Sequence, residues 1–428
     1  MADDTIFACS SGPPPAAIAL MRISGPAALD VAGKLAGALP AARRAAVRAL
    51  RDPADGHLLD RALVLVFPAP HTATGEDLVE LHLHGGRAVV AAVSATLAAF
   101  AGVRQAEPGE FTRRALSNGV IDLTAAEGLG DLLNAETETQ RRAALRIAEG
   151  GLRTIIEAWT DRLVDVAARI EAQLDFSDED EVPAAAVADI VDEIGEVRGA
   201  MAELLAAPPV ERLHDGVRVV IAGPPNSGKS TLLNALTGRD LAIVSPLSGT
   251  TRDRIDASVT RGGIAFVLTD TAGLTDAPND MVEQIGVARA EAAISAADVV
   301  LWLGDTAPSD PGHIAIHARA DLPERAMLPP FCDLSVSAET GAGITDLWNM
   351  IADRAANLLP IADAIATNER QRALLRASFQ HLAPDAPDDL IVIAEHVRGA
   401  IRSLNAVTGR VGTEDVLDAI FSRFCIGK

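Results

Sequence analysis

The sequence predicts a multidomain protein of mixed α/β and α class. An N-terminal α+β domain comes first, then a helical domain, with a P-loop α/β domain inserted into the helical one. Three observations predict this. The buried-strand pattern Val217–Ala222 runs straight into Gly223-Pro-Pro-Asn-Ser-Gly-Lys-Ser230 and then into the helical pattern of Thr231–Thr237. Long amphipathic stretches flank that module, from about Asp122 to Leu213 and again beyond Pro360. The 428 residues exceed a single core, and an Ala-rich chain with 3% aromatics and no Tyr favours helix.

The elements follow in order. Residues 1–119 form the α+β domain: Ile18–Ile23, Ala62–Phe67 and Asp77–Leu83 read as strands, and helices at about 27–38 and 87–101 alternate with them. Gly12-Pro-Pro-Pro15 is a loop, because three prolines fit neither a helix interior nor a central strand. Residues 120–213 are the first part of the helical domain, broken at Asp175–Pro183 by an acidic run that reads as a solvated loop. Residues 214–360 alternate strands and helices, and 361–428 supply the second helical part, ending in Phe424-Cys-Ile-Gly-Lys428. There is no internal repeat.

Composition excludes several classes. A formal charge of −22 argues against broad attraction to nucleic-acid backbones or anionic membranes. The cysteines Cys9, Cys332 and Cys425 are odd in number and scattered, which fits neither a disulfide framework nor zinc spacing and points to a reducing compartment. Met1–Ile6 is not a signal peptide, and the Ala-rich stretch Ala88–Val103 is too short to span a bilayer. The expectation is a cytoplasmic protein with no membrane partner.

The loop after Val217–Ala222 carries the chemistry. Gly223 and Gly228 let the backbone wrap a phosphate at a helix N-terminus, Lys229 reaches the β- and γ-phosphates, and Ser230 ligates Mg²⁺. A glycine-rich turn with an incidental lysine is the alternative, but the strand–loop–helix context weighs against it. Asn226, Ser227 and Thr231 belong to the same phosphate site. The strand Ile264–Thr269 leads into Asp270-Thr-Ala-Gly273, which sets an acid beside the metal and a glycine amide near the γ-phosphate. Between the two lies Ser248-Gly-Thr-Thr-Arg-Asp253, where a threonine can close over the nucleotide and complete the Mg²⁺ shell, as in switchable GTPases.

Base recognition departs from the usual pattern. G domains carry Asn-Lys-x-Asp after a strand; here Gly312–His317 leads into Ala318-Arg-Ala-Asp321, so the Asp is kept, Arg319 supplies the stem and Ala318 replaces the Asn. Ser337-Ala338-Glu339 fits the backbone loop that contacts the guanine oxygen. Guanine preference is expected, with weakened binding or relaxed base choice. Leu274 stands where a water-orienting Gln is often found, so Glu283 is the substitute candidate, against the reading of a solvated helix residue.

Together these residues resemble the tRNA modification GTPase family MnmE (TrmE), nearly end to end. Asp4-Thr-Ile6, Arg22-Ile-Ser-Gly25, Glu80-Leu-His-Leu-His-Gly-Gly86, Gly109-Glu-Phe-Thr-Arg-Arg-Ala115, Asn118–Glu127 and the terminal Phe424–Lys428 carry the likeness outside the P-loop module. The resemblance implies a homodimer that binds a tetrahydrofolate one-carbon donor. It also implies a partner, MnmG, which brings FAD and uses NADH; the two form a heterotetramer that modifies C5 of wobble uridine in certain tRNAs. It further implies K⁺-dependent GTP hydrolysis, with K⁺ held by Asn226, Ser245, Leu247 and Thr250 and Mg²⁺ by Ser230 and Thr251. Glu283 matches the family glutamate, and Cys425 lies in the family's C-terminal signature near the folate site. A small buried residue is the other reading of Cys425. Folate residues carry over to Arg22, Glu80 and Lys428, while Val120 replaces a family lysine. His82 and His84 read as structural or ligand-lining.

Two other readings compete with the enzyme. One is a folate- and MnmG-binding scaffold with impaired GTP turnover; intact Lys229, Ser230, Thr251, Asp270 and Glu283 count against it. The other is a ribosome-assembly GTPase, which the N-terminal module and the C-terminal signature do not fit.

Overall fold

The computed structural model describes residues 4–175, 184–238, 256–271, 289–360, 365–383 and 389–410, and positions 417, 420, 421, 424, 426 and 427. The chain divides into two compact units, the first made of Met1–Gly130, Ile147–Asp175 and Leu390–Lys428, the second of Asp131–Arg146 and Phe176–Asp389.

The first unit is built on a six-stranded sheet of β1 (Thr5–Cys9), β2 (Ile18–Ser24), β3 (Ala46–Arg51), β4 (Leu58–Phe67), β5 (Leu78–His84) and β6 (Val103–Gln105), in the order β3-β4-β5-β2-β1-β6. All pairs are antiparallel except β1 with β6. Alternation decides the faces. Val79, Leu81 and Leu83 of β5 join Met21 and Ile23 of β2 in a core covered by α1 (Ala28–Ala36) and α2 (Arg87–Ala98). Glu80, His82 and Arg22 take the opposite face, since successive strand side chains point to opposite sides.

A second core lies along two long helices of this unit, α6 (Gly151–Asp175) and α12 (Leu390–Thr408). Leu152, Ile156, Trp159, Leu163, Val166 and Ile170 repeat at spacings of four and three, as do Ile393, Val397, Ala400, Leu404 and Val407, so each helix presents one buried stripe. Each such aliphatic side chain contributes about 1.5–3 kcal/mol on burial. The C-terminal signature returns to the N-terminal module: Pro108 bridges Ile426, and a Cβ on Gly427 would meet the Cys9 carbonyl oxygen at 2.5 Å. The Phe421 and Phe424 rings lie 5.8 Å apart, tilted at 48°, in a cluster with Ala126, and a Cβ on Gly130 would come within 3.1 Å of the Phe424 ring.

The second unit carries the other six-stranded sheet: β7 (Val217–Ala222), β8 (Asp256–Arg261), β9 (Ile264–Asp270), β10 (Val299–Trp302), β11 (Ile314–His317) and β12 (Leu334–Ser335). Its order is β12-β11-β10-β7-β9-β8, parallel except for the β8–β9 hairpin. The near-continuous apolar run of β7 fits a central parallel strand buried on both faces. Helices α9 (Lys229–Thr237) and α10 (Ile344–Ala356) pack on it, and Phe266 meets Trp348 edge-on at 5.2 Å. Two further helices belong to this unit, α7 (Ala184–Ala206) and α11 (Glu369–His381). Arg372 donates to the carbonyls of Leu205 and Ala207 at the end of α7, and Asn368 with Gln371 forms a capping box at the start of α11.

The strands predicted at 18–23, 62–67, 77–83, 217–222 and 264–269 are present, some a residue or more longer. The acidic run between α6 and α7 lies outside the described residues. No described helix is long and apolar enough to cross a membrane.

Candidate nucleotide-binding site

The site lies at the carboxyl ends of β7, β9, β10 and β11. There β7 has β9 on one side and β10 on the other, the place where parallel sheets open a crevice. The loop 223–228 leaves β7 with three positive φ angles, at Gly223 (148°), Asn226 (60°) and Gly228 (100°). A Cβ on Gly223 would stand 3.1 Å from the Leu303 carbonyl carbon, so glycine is required there by space as well as by conformation. Gly228 then caps α9, which begins at Lys229. Pro224 and Pro225 contribute no N–H, leaving the amides of 226–229 as the loop's donors.

Lys229 is 5% exposed and folds back over the loop, donating to the carbonyls of Gly223 (3.0 Å) and Pro224 (2.8 Å). Those bonds keep the cation satisfied in the cavity until a phosphate replaces them. Ser230 Oγ donates to Asp270 Oδ2 at 2.5 Å, which brings a hydroxyl and a buried carboxylate together at the helix N-terminus. Thr271 anchors the next turn by donating from Oγ1 to the Ile221 carbonyl at 2.9 Å. Ser227 Oγ is buried without a partner among the described residues, a polar group that a ligand would satisfy.

A cavity of about 890 Å³ opens over this loop, bounded by Asn226, Lys229, Ser230, Thr231 and Thr271 and on the far side by Trp302, Asp305 and Arg319. A second cavity of about 350 Å³ continues past Arg319 between Ala318, Asp321, Leu322, Ala338 and Glu339. Arg319 belongs to both; its φ of 60° turns it towards Gly228, where its Nε would lie 3.6 Å from an added Cβ. Asp321 is fixed by Ser337, whose Oγ donates to Asp321 Oδ1 at 2.6 Å. The amide of Ala320 donates to the Val336 carbonyl, and that of Val336 to His317, so the two base-end loops are stitched together. The larger chamber and the narrower slot share Gly228, Thr231 and Arg319 in their walls.

Of the residues singled out in the sequence, Asn226, Gly228, Lys229, Ser230, Thr231, Thr271, Asp321 and Ala338 line these two cavities, Asp270 and Ser337 bond to lining residues, and Ser227 lies in the loop with its Oγ buried. Ser245, Leu247, Thr250, Thr251, Ala272, Gly273, Glu283, Cys425 and Lys428 lie outside the described residues. The sequence reading missed Asp305, Thr306 and Trp302 as wall residues; Trp302 Nε1 donates to the Thr306 carbonyl, a contact that no spacing rule signals.

On the first unit, Arg22 and Glu80 face each other across β2 and β5 and pair at 2.8 Å, with His82 Nε2 3.7 Å from the other Glu80 oxygen. The Arg22 guanidinium lies 5.8 Å over the Phe111 ring. His84, the other histidine of that face, pairs with Asp60 at 2.7 Å. Val120 is 40% exposed and packs near Gly75. Beside this face stands a buried charge network in which Arg114, 5% exposed, donates to Asp4, Glu76 and Glu110, and Arg104 holds Asp4 and Glu110 from outside. Burial pushes Asp4 and Glu110 up, but the arginine hydrogen bonds outweigh it and hold both below the usual carboxylate range.

The family model described as the GTP-binding protein TrmE N-terminus matches residues 5–120, and that described as the MnmE helical domain matches 123–425. The chain is 54% identical to the tRNA modification GTPase MnmE of Rhizorhabdus wittichii, over 100% of this chain and 97% of that protein. It is 51% identical to the protein of that name from Erythrobacter litoralis, over 99% and 100%, and 49% identical to that from Zymomonas mobilis, again over 99% and 100%.

Proposed function

The chain belongs to the MnmE family of tRNA modification GTPases, and from that premise we propose that it is a K⁺-dependent GTPase working with MnmG on C5 of wobble uridine. In this reading it is a homodimer, assembles with MnmG into a heterotetramer, takes its one-carbon unit from a tetrahydrofolate derivative and meets FAD only through MnmG. Residues 1–119 bind folate and dimerise, 120–213 and 361–428 form the helical domain, and 214–360 hydrolyse GTP. The enzyme acts in the cytoplasm.

The observation that carries the hydrolytic part is the meeting of Lys229, Ser230 and Asp270 under one cavity. Lys229 exchanges two loop carbonyls for β- and γ-phosphate oxygens, neutralising charge that grows at the leaving group. The hydroxyl of Ser230 and the carboxylate of Asp270 are hard oxygen donors of the kind Mg²⁺ takes, Ser230 directly and with Thr251. Held by these donors, Mg²⁺ would supply neutralisation of phosphate charge. Asn226, on the cavity wall with an amide oxygen to offer, is the K⁺ ligand of this reading, alongside Ser245, Leu247 and Thr250. Glu283 positions the attacking water. For the folate site, the Arg22–Glu80 pair offers both a donor fork and a carboxylate, and Lys428 adds a cation; Val120 leaves that site one charge short.

Hydrolysis by purified protein, compared in KCl and in NaCl, tests the ion dependence: turnover indifferent to the cation would sink the K⁺ assignment. Wobble uridine in tRNA from a host lacking the gene tests the biological role. The scaffold alternative survives only if turnover is negligible and unchanged in Lys229→Ala.

A further inference from the structure

The asparagine that usually heads the base-reading loop is absent, and Ala318 in its place is 6% exposed with only backbone to offer. We propose that Arg325 is the positioning residue that sets this loop for guanine, clamping from outside what an amide at 318 would fix from within. The inference rests on the reading of Asp321 as the guanine-recognising carboxylate.

The guanidinium joins separate segments of the site. Arg325 Nε donates to the Ala318 carbonyl at 2.8 Å, at the exit of β11. Its Nη1 pairs with Asp305 Oδ1 at 3.0 Å, on the loop after β10 that walls the phosphate cavity. The backbone closes the same ring: the Arg325 amide donates to the Leu322 carbonyl at 2.9 Å, and the Arg325 carbonyl accepts from Nε2 of buried His317 at 2.8 Å. Asp321 lies on the stretch between Ala318 and Arg325, so one side chain pins both ends of the loop that carries the base-reading carboxylate.

The contacts differ in weight. Asp305 is 77% exposed, so its ion pair is well screened and contributes little on its own. The bond to the Ala318 carbonyl is charge-assisted and part-buried, and it holds the start of the loop that carries Arg319 and Asp321. A planar fork can reach a carbonyl and a carboxylate at once; an ammonium on a flexible stem cannot hold both in fixed geometry. Arg325 therefore acts through geometry and not by touching the base, which neither cavity brings it to.

The test uses the full-length protein and compares GTP with ITP, which lacks the exocyclic amine that a carboxylate at Asp321 would accept from. Arg325→Gln is expected to raise KM for GTP about tenfold with kcat within about twofold, and to lower the GTP-over-ITP ratio of kcat/KM severalfold. Arg325→Lys should recover part of that ratio. In nucleotide-free protein, hydrogen exchange at the Ala320 and Leu322 amides should quicken about tenfold in Arg325→Gln. A ratio and exchange rates both unchanged overturn the proposal, as does a general loss of melting temperature with the ratio intact. If the unaltered protein itself shows no preference for GTP over ITP, the base-reading role of Asp321 falls. The exchange rates then decide the clamp alone, and unchanged rates in Arg325→Gln overturn it.

Discussion

The two six-stranded sheets bury their polar groups to opposite ends. In the first unit Arg114, Glu76, Glu110, Ser24 and Thr74 are buried and bond to one another, through both terminal nitrogens of Arg114. In the second, buried Lys229, Asp270, Thr271 and Ser337 gather at the carboxyl ends of the strands, and Lys229 is satisfied by loop carbonyls that a ligand can replace. The difference separates a polar network that specifies a fold from one that waits for a substrate. In the first, removing Arg114 leaves Glu76 buried without its cation; in the second, removing Lys229 is expected to spare the fold and slow the chemistry.

Arg114→Met should show the largest effect, about 3–5 kcal/mol of lost stability, because Glu76 is left buried without its cation while Glu110 keeps only the half-exposed Arg104. Calorimetry reads it, and a melting curve unchanged from the parent protein would erase the contrast between the units. Lys229→Ala comes next, with turnover falling about 100- to 1,000-fold in a phosphate-release assay while the melting temperature holds. Gly223→Ala introduces both a disfavoured φ and a 3.1 Å approach to the Leu303 backbone. It should weaken binding of a fluorescent GDP analogue by about tenfold, a cost of about 1–3 kcal/mol. Ser337→Ala removes one bond to Asp321 and should weaken the same binding by about fivefold, near 1 kcal/mol.

Acid sharpens the contrast by degrees. Asp4 and Glu110 have folded-state values below their unfolded ones. Their stabilisation is therefore fully present above the unfolded carboxylate range of about 4 and is lost as pH falls through the lower folded values. The first unit should melt earlier as pH drops below about 4, and Glu110→Gln should flatten that dependence.

What the sequence made legible was whatever is local. The strand–loop–helix at Val217–Thr237 follows from apolar pattern, glycine placement and one lysine within a single stretch; the structure keeps the strand to the residue and starts the helix two residues earlier, at Lys229. The alternation of Val79, Leu81 and Leu83 with Glu80 and His82 likewise fixes both faces of β5. Contacts between distant segments were not legible. Asp305, Ala318 and Arg325 meet only after β10 and β11 pair, and no spacing announces it. Nothing local marks Glu76, Glu110 and Arg114 as buried, because charged residues are seldom buried unless paired, and Glu76 meets the other two from a distant segment. The Ala- and Arg-rich run before Leu50 carries helix propensity, yet it forms β3 at the sheet edge, where pairing with β4 prevails over local preference.

The return of Phe421, Ile426 and Gly427 to Gly109, Pro108 and Cys9 has a consequence on the ribosome. The sheet of the first unit emerges early, but the helix α12 that packs on α6, and the C-terminal signature that returns to Pro108 and Cys9, are translated only after the whole nucleotide-binding module. Domains generally fold as units in order of synthesis. This one must keep the apolar stripe of α6 uncovered through the making of everything in between, so a premature stop anywhere in that interval yields a chain whose own surface marks it for chaperones or proteases.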